Sequence, residues 1–292
     1  MGNRTGLTES LSAWVAQDQS TLPSHFLDRA MLEAVSRQES RAVYMGENTV
    51  LCRVLGKYLI YADAQETGIT PHLSINGYWE SWITVLLART LRPGWQCLDL
   101  GANHGYYTLV MADLVGQRGR VVSVEPTPRL AQLLGETLDV NGFPGVTVVQ
   151  KAASRTDGDK LRLVVPRRRS MSASVTEVGG PTDPVFDVET VTVDALTREW
   201  PRVDLIKIDV EGAEQDVWQG MQRTIAQNPR LVVILEFNVD RYQDPRAFLE
   251  AIELAGFRLR YIDFDAEVKD VTIDQLLRRQ VGQDWMLYLA RR

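Results

Sequence analysis

Cysteine and histidine are scarce in this 292-residue chain, with two and three residues respectively. Cys52 and Cys97 each sit in an apolar, strand-like run. They read as small buried hydrophobes, not as a disulfide or a metal pair. No His/Cys metal cluster is available. Long apolar runs are also lacking, so no segment is expected to span a bilayer. Met1 to Gln19 shows no cationic, apolar, small-residue order, so no secretory signal is read and a cytoplasmic protein is expected. Positive charge is in deficit, 32 Lys plus Arg against 38 Asp plus Glu. That balance argues against nonspecific binding to nucleic acid or to a membrane surface. No internal repeat is visible.

What remains is enough for one sizeable α/β domain with an extension. Residues 1–45 look helical and irregular, with Phe26, Leu27, Ala30, Met31, Ala34 and Val35 at helical spacing. Val50–Val54 and Tyr58–Tyr61 flank Leu55-Gly56-Lys57 and predict a hairpin. Thr67 to His72 reads as a loop. Trp82, Ile83, Leu86 and Leu87 mark a helix ending near Leu91. Strands and helices then alternate. The predicted strands are Cys97–Leu100, Arg120–Glu125, Val146–Ala153, a short Leu161–Val165, Leu205–Val210, Leu231–Phe237, Phe257–Phe264 and Trp285–Ala290. Thr127-Pro128 supplies an N-cap and an N1 proline, and Asn141-Gly142 ends that helix. The pattern predicts a mainly parallel sheet with helices on both faces. We divide the chain into an extension, 1–75, and a main domain, 76–292, with an insertion over 154–190. The extension is suited to lid, substrate or dimer contacts, so a homo-oligomer is left open.

The chain is organised around Cys97 to Thr108. A short apolar strand runs into Gly101-Ala-Asn103-His-Gly105 and then into a helix. Gly101 and Gly105 lack a Cβ, so the turn is tight and a ligand can approach the backbone, facing free helix N–H groups. A dinucleotide fingerprint begun at Gly101 fails at Asn103 and Tyr106, where glycines are required. The loop fits a cofactor without a pyrophosphate, such as S-adenosylmethionine. On this segment alone, an ordinary strand–helix turn fits equally well.

Ligands of open parallel sheets bind beyond the carboxyl ends of the strands. Here those ends carry Asp99, Glu125, Asp209, Glu211 and Glu236. Glu125 follows the loop by about 20 residues, the interval of a carboxylate that binds ribose hydroxyls. Lys207, Asp209 and Glu211 share one face if their strand runs that far. Three alternating charges on a buried strand are costly without partners. A neutralised Lys207–Asp209 pair at a strand edge is the plain alternative to a functional role.

Three stretches in this order resemble the FkbM family of S-adenosylmethionine-dependent methyltransferases: Asp99 to Thr108, Val124-Glu-Pro-Thr-Pro128, and Asp204 to Glu214. The resemblance covers about residues 75–240. It implies a class I methyltransferase, a Rossmann-like sheet of seven strands with the last antiparallel. It also implies S-adenosylmethionine as cofactor and methyl transfer to a hydroxyl of a polyketide, sugar or glycolipid-type acceptor, as in natural product biosynthesis. Carried over residue by residue, Asp99, Gly101, Asn103, Gly105, Tyr107 and Thr108 form the cofactor loop and helix start. Glu125 and Pro126 flank the ribose, and Lys151-Ala152-Ala153 touches the adenine. Asp209 and Glu211 match the family's post-strand acids near the methyl group; Lys207 and Glu236 join them as catalytic candidates on their strand positions alone. Tyr78-Trp79-Glu80 resembles the family's Tyr-Glu element, which makes Glu80 a candidate for the methionine ammonium.

Methyl transfer needs an acceptor oxygen aligned behind the methyl group and a group to take its proton. Asp209, Glu236 and His104 are the candidates, with His104 favoured as a packed loop side chain. Asp209 and Glu236 end neighbouring strands and have the oxygen ligands for a shared divalent cation such as Mg²⁺. Base catalysis without a metal is favoured, because the acids are few; Glu211, Asn238 or Asp240 is the missing third ligand otherwise. Arg167-Arg168-Arg169, followed by Ser170, Ser172 and Ser174, reads as a solvated face, or else as an anion-binding lid. Trp79, Trp82 and Trp218 read as core. N-methylation, or a cofactor-binding accessory protein without chemistry, are the alternative functions. Retention of both the loop and the strand-end acids favours activity over an accessory role, and the resemblance implies an O-methyltransferase.

Overall fold

A computed structural model describes residues 24–164, 184–278 and 284–291. Arg167-Arg168-Arg169, its neighbouring serines and residues 1–23 lie outside them. Helix α1, Arg29–Glu39, starts at Asp28, whose Oδ1 accepts the Met31 N–H at 2.8 Å. Strands β1 (Arg41–Gly46), β2 (Thr49–Val54) and β3 (Tyr58–Asp63) then form an antiparallel sheet. The predicted hairpin is its second half, and β1 corrects the reading of residues 1–45 as helical. Thr67 to His72 is not simply a loop, since α2 spans Ile69–Ile75. The buried Glu66 carboxylate accepts from the N–H groups of Gly68, Ile69 and Thr70, supplying the cap that the sequence concealed. Helix α3, Ser81–Thr90, leads to the main sheet.

That sheet begins with β4 (Gln96–Leu100), α4 (Tyr106–Val115), β5 (Arg120–Val124), α5 (Pro128–Val140) and β6 (Thr147–Val149). The third predicted strand breaks after Val149, because the Lys151 N–H turns back to the Val149 carbonyl. Its second part, β7 (Ala152–Ala153), joins a small sheet with β8 (Lys160–Val164) and β9 (Val185–Val191). Helix α6 (Val193–Leu196) precedes β10 (Leu205–Ile208), followed by α7 (Glu214–Gln219), α8 (Gln222–Gln227) and β11 (Val232–Phe237). The end comprises α9 (Pro245–Leu254), β12 (Phe257–Arg258), β13 (Arg260–Ile262), β14 (Val268–Asp270), α10 (Ile273–Leu276) and β15 (Trp285–Arg291). The main path runs β14-β13-β15-β11-β10-β4-β5-β6, with β12 beside β15. The middle five strands are parallel, and β15 inserts antiparallel between β11 and β13. This is the expected class I sheet of seven strands, extended by β12 and β14.

Alternate residues of each parallel strand feed two apolar layers. Leu98, Leu100, Val122, Val124, Ile206, Ile208, Val233 and Leu235 pack on the α6–α10 side. Cys97, Val121, Leu205, Val232 and Ile234 pack on the other, together with α3, α4 and the extension. Phe26, Leu32, Cys52 and Ile60 of the extension lie in that same cluster with Ile83, Leu87 and Leu109. Full burial of a Leu or Ile side chain contributes about 1.5–3 kcal/mol, so the cluster joins extension to sheet strongly.

Candidate active site

The layer facing α4 changes character along the strands. It is apolar at Cys97, Val121 and Leu205, then polar at Asp99, Ser123 and Lys207, which are all buried. Two-residue alternation puts these polar groups under the start of α4. Thr108 Oγ donates to Asp99 Oδ2 at 2.6 Å and lies 2.8 Å from Ser123 Oγ. The strand ends are thereby tied together by short hydrogen bonds at the floor of a cleft of 280 Å³.

One wall of the cleft is the Gly101–Gly105 loop. Gly101 has φ +78, and a Cβ there would meet the Asp209 carbonyl oxygen at 1.7 Å. Only glycine allows β4 and β10 to diverge this closely. Asn103 is also left-handed, at φ +52. Its N–H donates to Glu125 Oε2 at 2.9 Å, and the Thr127 N–H donates to Oε1 at 2.9 Å. Glu125 thus locks the loop and keeps a free lone pair on each oxygen. Thr127 sits at the N-cap without using its side chain as a cap; the carboxylate of Glu125 has taken its N–H. His104 is buried, and its Nε2 accepts the Asp63 N–H at 3.0 Å. That contact requires the Nδ1–H tautomer. Burial, with the nearby Arg129 charge, pushes the ring's pKa down to about 3. His104 is therefore a neutral packed side chain whose Nε2 is already engaged.

The opposite wall carries the charges. Strand β10 ends at Ile208, earlier than Val210, and Glu211 is left-handed at φ +54. The shared strand face predicted for Lys207, Asp209 and Glu211 therefore stops short of Glu211. Lys207 is 1% exposed. Its Nζ donates to Asp209 Oδ2 at 2.9 Å and lies 4.7 Å from the Tyr107 ring centroid. Burial opposes ionisation of Asp209, but the Lys207 charge and hydrogen bonds from Lys207 and Glu236 outweigh it and lower its pKa. Glu236 moves the other way, raised well above the ordinary range by burial and by the Asp209 charge. Glu80 adopts φ +33 and accepts the Tyr107 hydroxyl at 2.6 Å. Its pKa is raised to about 7, chiefly by burial. Glu211 is raised to about 8 by burial and the Asp209 charge.

Of the predicted site residues, Glu80, Gly101, Asn103, Tyr107, Glu125, Pro126, Ala152, Ala153, Lys207, Asp209, Glu211 and Glu236 all line this cleft. Asp99, Gly105 and Thr108 do not. Asp99 and Thr108 lie beneath the floor, bonded to each other, and Gly105 packs against Leu134. Trp79 lines the cleft, whereas Trp218 is core. Sequence reasoning assigned no role to Glu214 or Arg241. Glu214 is fully buried; its Oε1 accepts the Val210 and Gly212 N–H groups, and its Oε2 accepts the Tyr242 hydroxyl. Arg241 pairs with Glu211 at 2.9 Å and with Glu236. A second acid three residues beyond Glu211 was the available signal for Glu214; a lone arginine after β11 gave none for Arg241.

Residues 99–261, just over half of the chain, match the family described as the Methyltransferase FkbM domain. The chain belongs to the FkbM methyltransferase family. Protein-L-isoaspartate O-methyltransferase 1 of Archaeoglobus fulgidus is 42% identical over 59 residues, covering 20% of this chain and 27% of that protein. Methyltransferase sdnD of Sordaria araneosa is 27% identical over 169 residues, 47% of this chain and 64% of that protein. The chain thus spans about a quarter of the isoaspartate enzyme. Among solved structures, precorrin-6y C5,15-methyltransferase of Geobacter metallireducens GS-15 aligns at 10% identity and a TM-score of 0.45, over 80% of this chain and 97% of that one. The FkbM segment begins at Asp99 and so contains the loop, Glu125 and the charged wall. Glu80, Trp79 and the extension precede it.

Proposed function

We propose that this chain transfers a methyl group from S-adenosylmethionine to a hydroxyl oxygen of a small-molecule acceptor. A natural product, sugar or glycolipid-type alcohol is the class we favour. The observation that carries the reading is the ionised Asp209, held by buried Lys207 and next to Glu236, in the same cleft as Glu125. The cleft chemistry fits the cofactor. Seven acidic and two cationic side chains line it, and a ligand bearing a sulfonium and an ammonium favours the ionised form of those acids. Gly101, Ala102, Ala152 and Ala153 give small walls, and the free lone pairs of Glu125 suit a diol. Bound there, the cofactor supplies an electrophilic methyl group.

The chain's residues do the rest. Glu125 accepts the ribose hydroxyls while holding the loop. Glu80 faces the cationic end. Asp209 accepts the hydrogen bond of the acceptor hydroxyl and so orients an oxygen lone pair. The hydroxyl proton becomes strongly acidic as the new C–O bond forms, and an ionised carboxylate suffices to take it. Glu236, whose carboxyl is pushed toward its protonated form by burial and the Asp209 charge, bonds Asp209 and fixes its direction. The isoaspartate match covers a fifth of this chain, too little to carry over a protein acceptor. The two free cysteines agree with a reducing, cytoplasmic setting, and no described helix is long and apolar enough to cross a membrane.

The test is a titration followed by a screen. S-adenosylmethionine and S-adenosylhomocysteine should bind by calorimetry and NAD should not. Acceptor alcohols should then gain one methyl mass with release of S-adenosylhomocysteine. Asp209→Asn should lower turnover by roughly 10²–10⁴ while sparing cofactor affinity. A folded protein that binds neither sulfur compound refutes the proposal.

A further inference from the structure

Asp209, Glu211 and Glu236 each bring a carboxylate oxygen within 4.8 Å of the others, close enough to share a metal ion. The cluster already contains a cation. Arg241 sends Nη1 to Glu236 and Nη2 to Glu211 at 2.9 Å, with Asp284 3.5 Å from Nη2. Its side chain is only 21% exposed. Its placement is built by the fold. The Arg241 N–H bonds the Asn238 carbonyl, and its stem passes 3.8 Å from where a Cβ on Gly212 would be. Gly212 has φ +102, so the 209–212 loop wraps the arginine at a position that a side chain rarely adopts. Next door, Tyr242 is pinned by its hydroxyl to Glu214 and stacks on Phe237.

We propose that the guanidinium of Arg241 takes the place of a divalent cation at the acceptor end of the cleft, as a positioning residue that holds Glu211 and Glu236 around Asp209. A planar fork gives two carboxylates separate N–H partners. It offers no open coordination position, so the acceptor oxygen meets carboxylates and not a Lewis acid. Carboxyl groups this close repel one another when ionised, and the Arg241 charge offsets part of that repulsion without an exchangeable ion. The role in turnover rests on the methyl-transfer reading above; the cation replacement does not.

The test uses the full-length chain, stripped with EDTA, and MnCl₂ as the probe. Wild type should show no Mn²⁺ heat by calorimetry and no change in melting temperature with millimolar Mn²⁺. Arg241→Ala should melt lower, regain melting temperature with Mn²⁺, and bind one Mn²⁺ per chain at least tenfold more tightly than wild type. Adding Glu211→Gln to it should abolish that binding. Arg241→Lys should stay insensitive to Mn²⁺. Arg241→Gln keeps the bulk of the stem and replaces the Ala variant if that one does not fold. Stoichiometric Mn²⁺ binding by wild type that Glu211→Gln removes overturns the proposal, as does a folded Arg241→Ala or Arg241→Gln without response to Mn²⁺. S-adenosylhomocysteine titration of wild type reports on the methyl-transfer reading separately.

Discussion

Single residues at this site do two jobs, and their titration shows it. Glu80 has its carboxyl raised to about 7 by burial, with Tyr107, Asp209, Lys207 and Asp284 as its charged or polar neighbours. A cationic ligand favours its ionised form, so binding releases a proton below that pH. Affinity for S-adenosylmethionine should rise with pH up to about 7 and then flatten. Glu80→Gln should remove that slope, leaving any rise toward pH 8 to Glu211, raised to about 8. Calorimetry in buffers of different ionisation heat measures it, and a pH-independent affinity in wild type would exclude Glu80 from the cationic end. The sign for the free protein is opposite. A carboxyl with a raised folded pKa keeps its proton after the unfolded chain has released its own, so stability falls as pH climbs from the ordinary value to about 7–8. Glu125 is doubly used as well. Glu125→Ala removes charge-assisted hydrogen bonds worth about 1.5–3 kcal/mol, a roughly 10- to 100-fold loss of cofactor affinity. The same change frees the Asn103 and Thr127 N–H groups, so hydrogen exchange at both should accelerate. Glu125, Asp209, Glu211 and Glu236 were legible in sequence because they follow apolar strand runs, whereas Asp159 and Asp216, which also line the cleft, follow none. Arg241, Tyr107's bond to Glu80 and the neutral state of His104 were not, because each depends on a partner far along the chain.

Elements meet here through closely fitted backbones. Gly101→Ala would drive a methyl into the Asp209 carbonyl and force a left-handed non-glycine residue. Overpacking of about 1–3 kcal/mol and a left-handed penalty of about 1–2 kcal/mol should add, and the midpoint of urea unfolding would show it. Wild-type stability in that variant would mean that β4 and β10 are not held as described. A second junction is the free edge of β3. Its Leu59, Tyr61 and Asp63 N–H groups donate to Asn141 Oδ1, Thr137 Oγ1 and His104 Nε2, each at 3.0 Å. Side chains of α5 and the cofactor loop thus stand in for a fourth strand. Thr137→Val should cost about 1–3 kcal/mol and speed exchange of the Tyr61 amide while sparing β4. Equal protection in both proteins would count against this clasp. The alternation of β4, β5, β10 and β11 was readable because buried parallel strands are short apolar runs. Strand β9 was passed over because its Val185, Asp187 and Glu189 side chains are exposed, and the split of β6 from β7 hangs on one backbone turn that no residue type announces.

At the scale of the whole molecule, one apolar cluster crosses the residue 75/76 boundary. Removing residues 1–75 should leave Ile83, Leu87 and Leu109 without cover, giving a protein that binds ANS and melts without cooperativity. A cooperative melt at the wild-type temperature would show that the main sheet stands alone. The class I order was foreseeable from strand count and motif order, but the sequence carried no sign that the clasp on β3 would fuse the extension to the cofactor loop. Strand β15 adds a constraint in time. It lies inside the sheet, flanked by β11 and β13, although it is the last of these strands to be synthesised. While a ribosome is still making residues 285–291, the edge of β11 is bare and β13 has no interior neighbour. The nascent chain therefore carries an open, apolar strand edge from the completion of β11 until β15 is released, and ribosome-stalled chains ending before Trp285 should recruit holdase chaperones that full-length chains release.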